Sequence, residues 1–312
     1  MPSSMPSIVT LTMNPALDVT TGTEQVRPTH KLRCSAPRFD PGGGGINVAR
    51  VVHALGGEAT AIFPAGGPTG ETLKQLLVQA GIPIAPVAVA GATRESFTVD
   101  ETATGEQYRF VMPGPALSET EQQAILQTLE DQPGPPAYIV ASGSLPTGLQ
   151  EDFYCRVGAL CRRIGARMIL DTSGPALAAA KGCGAWLIKP SQRELEDLLG
   201  RKLPDETAQT DGARELISQD FAEVVALSLG EAGALLVTAD TSRHFRAPRV
   251  AAASAVGAGD SMVAAITLAM ARGLPLEEAF RHGMAAGAAA LLTPATELAH
   301  RDDVERLLAQ MD

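Results

Sequence analysis

A chain of 312 residues has room for one large α/β domain or two smaller ones. Its 45% hydrophobic and 19% charged content marks it as globular rather than disordered. A formal net charge of −10 opposes nonspecific nucleic-acid binding, which rests on clustered Lys and Arg. An anionic substrate must therefore find a local basic pocket.

Residues 8–13 (I-V-T-L-T-M) are β-rich and stop at Asn14-Pro15. Two further strand-like stretches, 18–21 and 31–39, precede a glycine run from Gly42 to Gly45, and residues 46–55 then take helical spacing up to Gly56-Gly57. From Ala59 onward short apolar strands alternate with helical segments: strands at 59–63, 138–141, 168–170, 186–188 and 224–227, with helices such as 71–79 and 151–164 between them. Such alternation predicts a three-layer α/β/α domain, a mostly parallel sheet covered by helices on both faces. Residues 259–292 read as largely helical and rich in small residues, so helices there should pack closely.

One region departs from the alternation. Residues 94–100 and 106–112 read as a β-hairpin turned at Thr104-Gly105. With the strands after Asp18 they predict a small β layer outside the main sheet, suited to act as a lid. The expected division is a single domain, 1–312, with lid segments at about 16–40 and 92–112 and no internal repeat or long linker.

The apolar run at 284–292 is far short of the ~20 residues that span a bilayer, and residues 1–7 carry no basic residue, unlike a signal peptide. No membrane or nucleic-acid partner is expected. The four cysteines, Cys34, Cys155, Cys161 and Cys183, lack metal-type spacing and suit a reducing cytoplasm. They are read as buried, unpaired thiols, with Cys155 and Cys161 on one helix.

Two segments carry chemistry. Val256-Gly257-Ala258-Gly259-Asp260-Ser261 precedes a helical run, so successive backbone N–H groups and the helix N-terminus converge on an anion site. A carboxylate at its edge, Asp260, would take a proton from an attacking hydroxyl. Asp is equally at home as a helix cap, and this segment alone leaves both readings open. The second segment is Pro41-Gly42-Gly43-Gly44-Gly45-Ile46-Asn47-Val48-Ala49-Arg50. Its glycines allow close backbone approach to a ligand and Asn47 offers hydrogen bonds to sugar hydroxyls; a flexible turn is the plainer alternative. Neither a G-x-G-x-x-G dinucleotide fingerprint after the first strand nor a P-loop occurs.

Together these segments resemble the ribokinase/PfkB superfamily of carbohydrate kinases along the whole chain. The likeness is nearest to the PfkB-type 6-phosphofructokinases, on Thr10-Leu11-Thr12-Met13-Asn14-Pro15-Ala16-Leu17-Asp18, on the stretch 31–50, and on Gly105-Glu106-Gln107-Tyr108-Arg109-Phe110-Val111-Met112-Pro113-Gly114. Gly44 stands where 1-phosphofructokinases and tagatose-6-phosphate kinases typically carry Lys, which favours fructose 6-phosphate over those acceptors. The resemblance implies a ribokinase-like fold, MgATP as phosphoryl donor and transfer to the C1 hydroxyl of the phosphorylated ketohexose. Asp260 would be the base, with the N–H groups of Gly257, Ala258 and Gly259 holding the γ-phosphoryl group. Asp18, Gly43 and Asn47 would hold sugar hydroxyls, and Arg94 and Ser144 would lie near the substrate phosphate. Lys31 and Arg33 would reach the same phosphate from the lid, supplied across a homodimer interface.

On the nucleotide side the resemblance places Lys189 near the ATP phosphates and Ser228-Leu229-Gly230 in the nucleotide loop. The family's N-x-x-E motif, tied to magnesium and phosphate, appears as Ser191-Gln192-Arg193-Glu194, which keeps Glu194 for the metal but has Ser191 where the family has Asn. Ser191 with Glu194 also reads as an ordinary helix cap. The family's monovalent-cation loop falls on Thr293-Pro294-Ala295-Thr296-Glu297, which lacks the Asn, Gly and basic residue common there, so K+ is a secondary expectation. A sugar-phosphate-binding protein without catalysis and a nucleotide-dependent oxidoreductase are the rival classes.

Overall fold

The computed structural model describes residues 7–251, 254, 256–294 and 296–311. Residues 1–6 of the N-terminal segment, and Ala295 in the loop assigned to a monovalent cation, lie outside the described residues.

The first strand, β1 (Ile8–Leu11), is buried throughout, as a central strand covered on both faces must be. It pairs in parallel with β4 (Ala59–Ala65) on one side and β8 (Tyr138–Ser142) on the other. Beyond β8 the sheet continues through β9 (Arg167–Asp171), β10 (Ala185–Ile188) and β11 (Ala222–Ser228), all parallel. Two antiparallel strands, β12 (Ala234–Thr238) and β13 (Ser242–Phe245), close that edge, and β5 (Ile84–Ala88) closes the other. The nine strands run in the order β13-β12-β11-β10-β9-β8-β1-β4-β5.

Helices cover both faces. On one, α1 (Gly44–Ala54), α2 (Gly67–Gln79), α8 (Ala258–Ala271), α9 (Leu276–Ala290) and α10 (Arg301–Leu308) build a core with Ile46, Val52, Leu73, Ile266 and Phe280. On the other, α3 (Glu119–Glu130), α4 (Phe153–Ile164), the short α5 (Gly174–Ala178), α6 (Gln192–Leu199) and α7 (Glu206–Ser218) pack around Leu11, Ile125, Phe153, Leu170 and Leu216. The close helix packing expected of the C-terminal third is present: a β-carbon on Gly283 of α9 would overlap Ile266 of α8. No helix among the described residues is long and apolar enough to cross a membrane.

A separate four-stranded sheet has the order β3-β2-β6-β7, from β2 (Ala16–Thr23), β3 (Arg38–Gly42), β6 (Arg94–Glu101) and β7 (Gln107–Val111). Its register sorts side chains by face. The rows Asp40–Asp18–Ser96 and Arg38–Thr20–Thr98–Arg109 share one face, while Phe39–Val19–Phe97–Phe110 form an apolar row on the other.

The strand order of the main sheet reverses at β1, where β4 lies to one side and β8 to the other. The carboxyl ends of these strands open a crevice at that point, the place where open α/β sheets bind ligands. The second sheet begins at the same end, because β2 follows β1 after only four residues, Thr12 to Pro15.

Two expectations need correction. Residues 31–37 form no strand: β3 starts only at Arg38 and runs on into the glycine run as far as Gly42. Pro37, lacking an N–H, cannot extend the ladder, and the segment before it follows the end of β2 through Ser35 N–H to Gly22 C=O at 2.9 Å. The cysteines are not four buried thiols. Cys155 and Cys183 are joined by a disulfide, Cys34 is exposed, and only Cys161 is both free and buried. Gly158 lets α4 settle against the Cys183 carbonyl, where any β-carbon would overlap it, and this brings the two half-cystines together. Cys155 and Cys161 do share α4.

Candidate active site

The site grows from the N-terminus of α8. Gly257 is its N-cap, in the left-handed region at φ 74°, and no side chain caps the helix. The N–H groups of Ala258, Gly259 and Asp260 make no backbone hydrogen bond among the described residues, as expected for a first helical turn. They form a cradle of donors at the positive end of a 14-residue helix.

Asp260 is not the cap. Its carboxylate turns to the crevice, accepting from Asn47 Nδ2 at 2.9 Å on Oδ2 and from Ser142 Oγ at 3.3 Å on Oδ1. The capping alternative is thereby removed, because a capping Asp would spend its oxygens on helix N–H groups. Burial raises the Asp260 carboxyl to about 6; Asp171 adds to the rise, and Asn47, Lys189 and Ser142 oppose it. A carboxylate so poised is suited to taking a proton near neutral pH.

The glycine run delivers Asn47. Gly43 is the N-cap of α1, at φ 112°. A β-carbon on Gly44 would overlap Ser142, and one on Gly45 would overlap the Leu11 carbonyl. These two glycines therefore serve close approach to the protein's own β1 and β8, which wedges the start of α1 into the crevice. The Ile46 N–H donates to Thr12 Oγ1 at 2.8 Å and fixes the wedge. Gly42 has another neighbour, since its absent β-carbon leaves the space taken by the Asp18 carboxylate.

Asp18, Arg94 and Ser144 lie at the second-sheet side. Burial raises Asp18 to about 6, against the attraction of Arg94 and then Arg109. Arg94 is held by the Asn14 carbonyl at 3.1 Å, the Met112 carbonyl at 3.1 Å and Ser96 Oγ at 3.2 Å. Asn14 Nδ2 also donates to Ser144 Oγ at 3.1 Å, so one residue ties Arg94 to Ser144 and leaves the serine O–H free to donate outward. Lys31 and Arg33 are exposed on the segment between β2 and β3, and neither side chain forms an ion pair among the described residues. Within one chain they are not joined to the Arg94 group.

On the nucleotide side Lys189, at the end of β10, pairs with Asp171 at 3.2 Å. Both side chains are nearly buried, at 10% and 15% exposure, and a β-carbon on Gly259 would meet Lys189 Nζ at 3.1 Å. Burial pulls the Lys189 ammonium down, but Asp171, Glu194 and Asp260 outweigh it and hold the group charged. Ser191 and Glu194 form a full capping box on α6, with Ser191 N–H and Oγ–H donating to Glu194 Oε2 at 2.7 and 2.9 Å. That leaves Oε1 without a hydrogen bond among the described residues. Ser228 bridges to Ser191, and Gly230, at φ 61°, opens a single 3-10 turn. An open cleft of about 790 Å3 lies beside them, lined by Ser191, Arg193, Lys202, Ser228 and Gly230.

Magnesium carried with a nucleotide takes most of its oxygens from phosphate and water. The free Glu194 Oε1 fits that need, and among the described residues no cluster of three or more acidic, His or Cys side chains builds a protein cage for a metal.

Three contributors were not selected from the sequence. Asp171 is a charged residue ending a buried parallel strand at the carboxyl edge of the sheet, and that position was the available signal. Asn14 and Arg109 stand inside stretches already singled out, but no composition or spacing rule separates them from their neighbours.

A parallel sheet with a switch-point crevice, a glycine-cradled helix N-terminus and a carboxylate facing it suit a phosphotransferase that acts on a hydroxyl. The chain belongs to the pfkB family of carbohydrate kinases, which it matches over residues 8–301. Among its relatives, the ATP-dependent 6-phosphofructokinase isozyme 2 of Mycobacterium tuberculosis is 54% identical over 301 residues, covering 96% of this chain and 88% of that protein. The crystal structure of Escherichia coli phosphofructokinase-2 in complex with potassium aligns with a TM-score of 0.94 at 45% identity, covering 98% of this chain and 99% of that one. The same Escherichia coli protein in complex with fructose-6-phosphate gives 0.92 at 44% identity, with the same coverage.

Proposed function

We propose that this chain is an ATP-dependent 6-phosphofructokinase that moves the γ-phosphoryl group of MgATP to the C1 hydroxyl of fructose 6-phosphate. The observation that carries the reading is the Asp260 carboxylate, held by Asn47 and Ser142 at the mouth of a cradle of free N–H groups. A hydroxyl lying between that carboxylate and a phosphoryl group on the cradle is positioned for in-line attack.

In this reading Asp260 takes the C1 proton as the new P–O bond forms and the bond to ADP breaks. The N–H groups of Gly257, Ala258 and Gly259 stabilise charge on the equatorial oxygens. Asp18, Gly43 and Asn47 hold the sugar hydroxyls. Arg94 and Ser144, steadied by Asn14, take the 6-phosphate, and Arg109 on the same face of the second sheet adds positive field. Lys189 faces the ATP phosphates, and Ser191, Ser228 and Gly230 border the nucleotide. The metal would lie toward Glu194, where it supplies charge neutralisation between the phosphates.

The 31–50 stretch and Gly44 in its glycine run support fructose 6-phosphate over its isomers, as do the names of the relatives at 54% and 45% identity. The exposed Phe39 and Phe110, at 46% and 50%, end the apolar row of the second sheet and support a homodimer formed through it. Lys31 and Arg33 would then reach the neighbouring subunit's sugar phosphate. The potassium complex of the Escherichia coli relative supports a monovalent cation as a secondary expectation at the 293–297 loop, and the enzyme is assigned to the cytoplasm. Parallel assays with fructose 6-phosphate, tagatose 6-phosphate and fructose 1-phosphate test the reading. It predicts the highest kcat/KM for the first and is overturned if either other acceptor exceeds it.

A further inference from the structure

Arg50 lies one turn after Asn47 on α1 and is absent from the roles assigned above. Its side chain is 19% exposed. Nη1 donates to the Pro41 carbonyl at 2.8 Å and to Asn47 Oδ1 at 3.2 Å, while Nη2 stands 4.0 Å from Asp40 Oδ1. Asn47 in turn donates from Nδ2 to Asp260 Oδ2 at 2.9 Å. A chain of contacts thus runs from β3 through Arg50 and Asn47 to the carboxylate at the cradle.

The chemistry of the links gives this chain a direction. An amide has one accepting and one donating end of nearly equal shape, and nothing in its own geometry decides which end faces which neighbour. A guanidinium only donates and stays charged. The amide end that meets Arg50 must therefore be the oxygen, so the end that meets Asp260 must be the N–H2. The reversed amide would set its oxygen against the carboxylate and bind only the protonated acid.

We propose that Arg50 is a positioning residue for catalysis: by donating to Asn47 Oδ1 it locks the amide with its N–H2 toward Asp260. This rests on the proposed role of Asp260 as the base. Charged and polar groups facing Asp260 are Asn47 and Arg50 from α1, Ser142 from the end of β8, Asp171 from β9 and Lys189 from the end of β10. Those facing Arg50 are Asn47 from α1, Asp40, Arg38 and the Pro41 carbonyl from β3, Asp18 from β2, and Asp260.

The test compares acid limbs of kcat/KM against pH for Arg50→Met, Arg50→Leu and Arg50→Lys, with the same sugar phosphate throughout so that its own ionisation cancels. Losing the locked donor favours the protonated carboxyl, so Met and Leu raise the acid limb by about one pH unit. Lys, which also only donates, leaves the limb close to wild type. The Asn47→Ala and Asn47→Ala/Arg50→Met pair then have equal limbs, because Arg50 acts through the amide. An unshifted limb in both Met and Leu variants overturns the inference, leaving a purely structural role. A shift of equal size in the Asn47→Ala background overturns it too, since the charge of Arg50 then acts directly. Near-UV circular dichroism checks that each variant is folded; if Met does not fold, Leu carries the same comparisons. The base reading fails separately, by Asp260→Asn retaining wild-type turnover.

Discussion

The carboxylate of Asp18 fills the space that a β-carbon on Gly42 would occupy, two residues that approach across β2 and β3. Gly42 is not among the positive-φ glycines, so alanine is acceptable to its backbone and the conflict is with the carboxylate alone. Gly42→Ala is expected to push Asp18 off its position and lower kcat/KM about 10–100-fold, the scale of misplaced binding groups. In an Asp18→Ala background the same substitution costs little more. Steady-state kinetics of the four proteins of that cycle check this; additive losses would show that Gly42 matters for another reason.

Both Asp18 and Asp260 are raised to about 6, each by burial first, with Asp171 adding to the second. In the proposed mechanism each works as the ionised form, so activity is expected to fall as pH drops through this range. With two ionisations in the free enzyme the log of kcat/KM against pH approaches a slope of two below about 6. The substrate phosphate titrates near 6 as well. Comparison with Asp18→Asn isolates the enzyme's share, because removing one carboxyl lowers the limiting slope by one. An unchanged slope in that variant would remove Asp18 from the limb.

Most of the architecture was legible in the sequence because parallel strands buried on both faces are short and apolar, as at residues 8–11, 138–142 and 224–227, and the helices between them are amphipathic. The hairpin at 94–101 and 107–111 was legible from its turn. The failures have physical causes. Residues 31–37 (K-L-R-C-S-A-P) carry none of the β-branched or aromatic residues that favour strands, and the Ser35 N–H bond to Gly22 alongside β2 does not grow into a ladder. The Cys155–Cys183 link depends on Gly158 admitting a backbone carbonyl, which no spacing rule contains. At the site, Asp260 was identified as a candidate but its role was ambiguous, since cap and base are distinguished only by where the oxygens point. The work of Asn14, Arg50 and Asp171 is relational: each matters for what it holds, and those partners lie far away in sequence.

A buried carboxyl with a raised pKa burdens the fold at neutral pH. Because folded Asp260 holds its proton more tightly than the unfolded chain does, its full contribution is available only below the ordinary 3.8 and is lost as pH rises through about 6. Asp260→Asn, which is always neutral, is therefore expected to be more stable than wild type at pH 8, by about 1–2 kcal/mol once partial exposure is discounted. The gain shrinks between pH 6 and 4 and disappears below the ordinary carboxyl range. Urea unfolding at pH 8, 6 and 4 checks the trend. A gain that persists undiminished at pH 4 would assign it to packing rather than charge.

The apolar row Phe39–Val19–Phe97–Phe110 crosses all four strands of the second sheet, on the face opposite Asp18 and Arg109. A charge placed at its exposed end opposes its burial against a second copy without touching the site face of the sheet. Phe110→Asp is thus expected to convert the proposed dimer to a monomer in sedimentation velocity while leaving the far-UV spectrum unchanged. If Lys31 and Arg33 serve the neighbouring subunit, the monomer also loses charge-assisted contacts to the sugar phosphate worth about 1.5–3 kcal/mol each. The KM for fructose 6-phosphate then rises about tenfold or more, with a smaller change in the KM for ATP. A monomer that keeps the wild-type KM would confine both basic residues to a role outside substrate binding, and a persistent dimer would move the interface off this row.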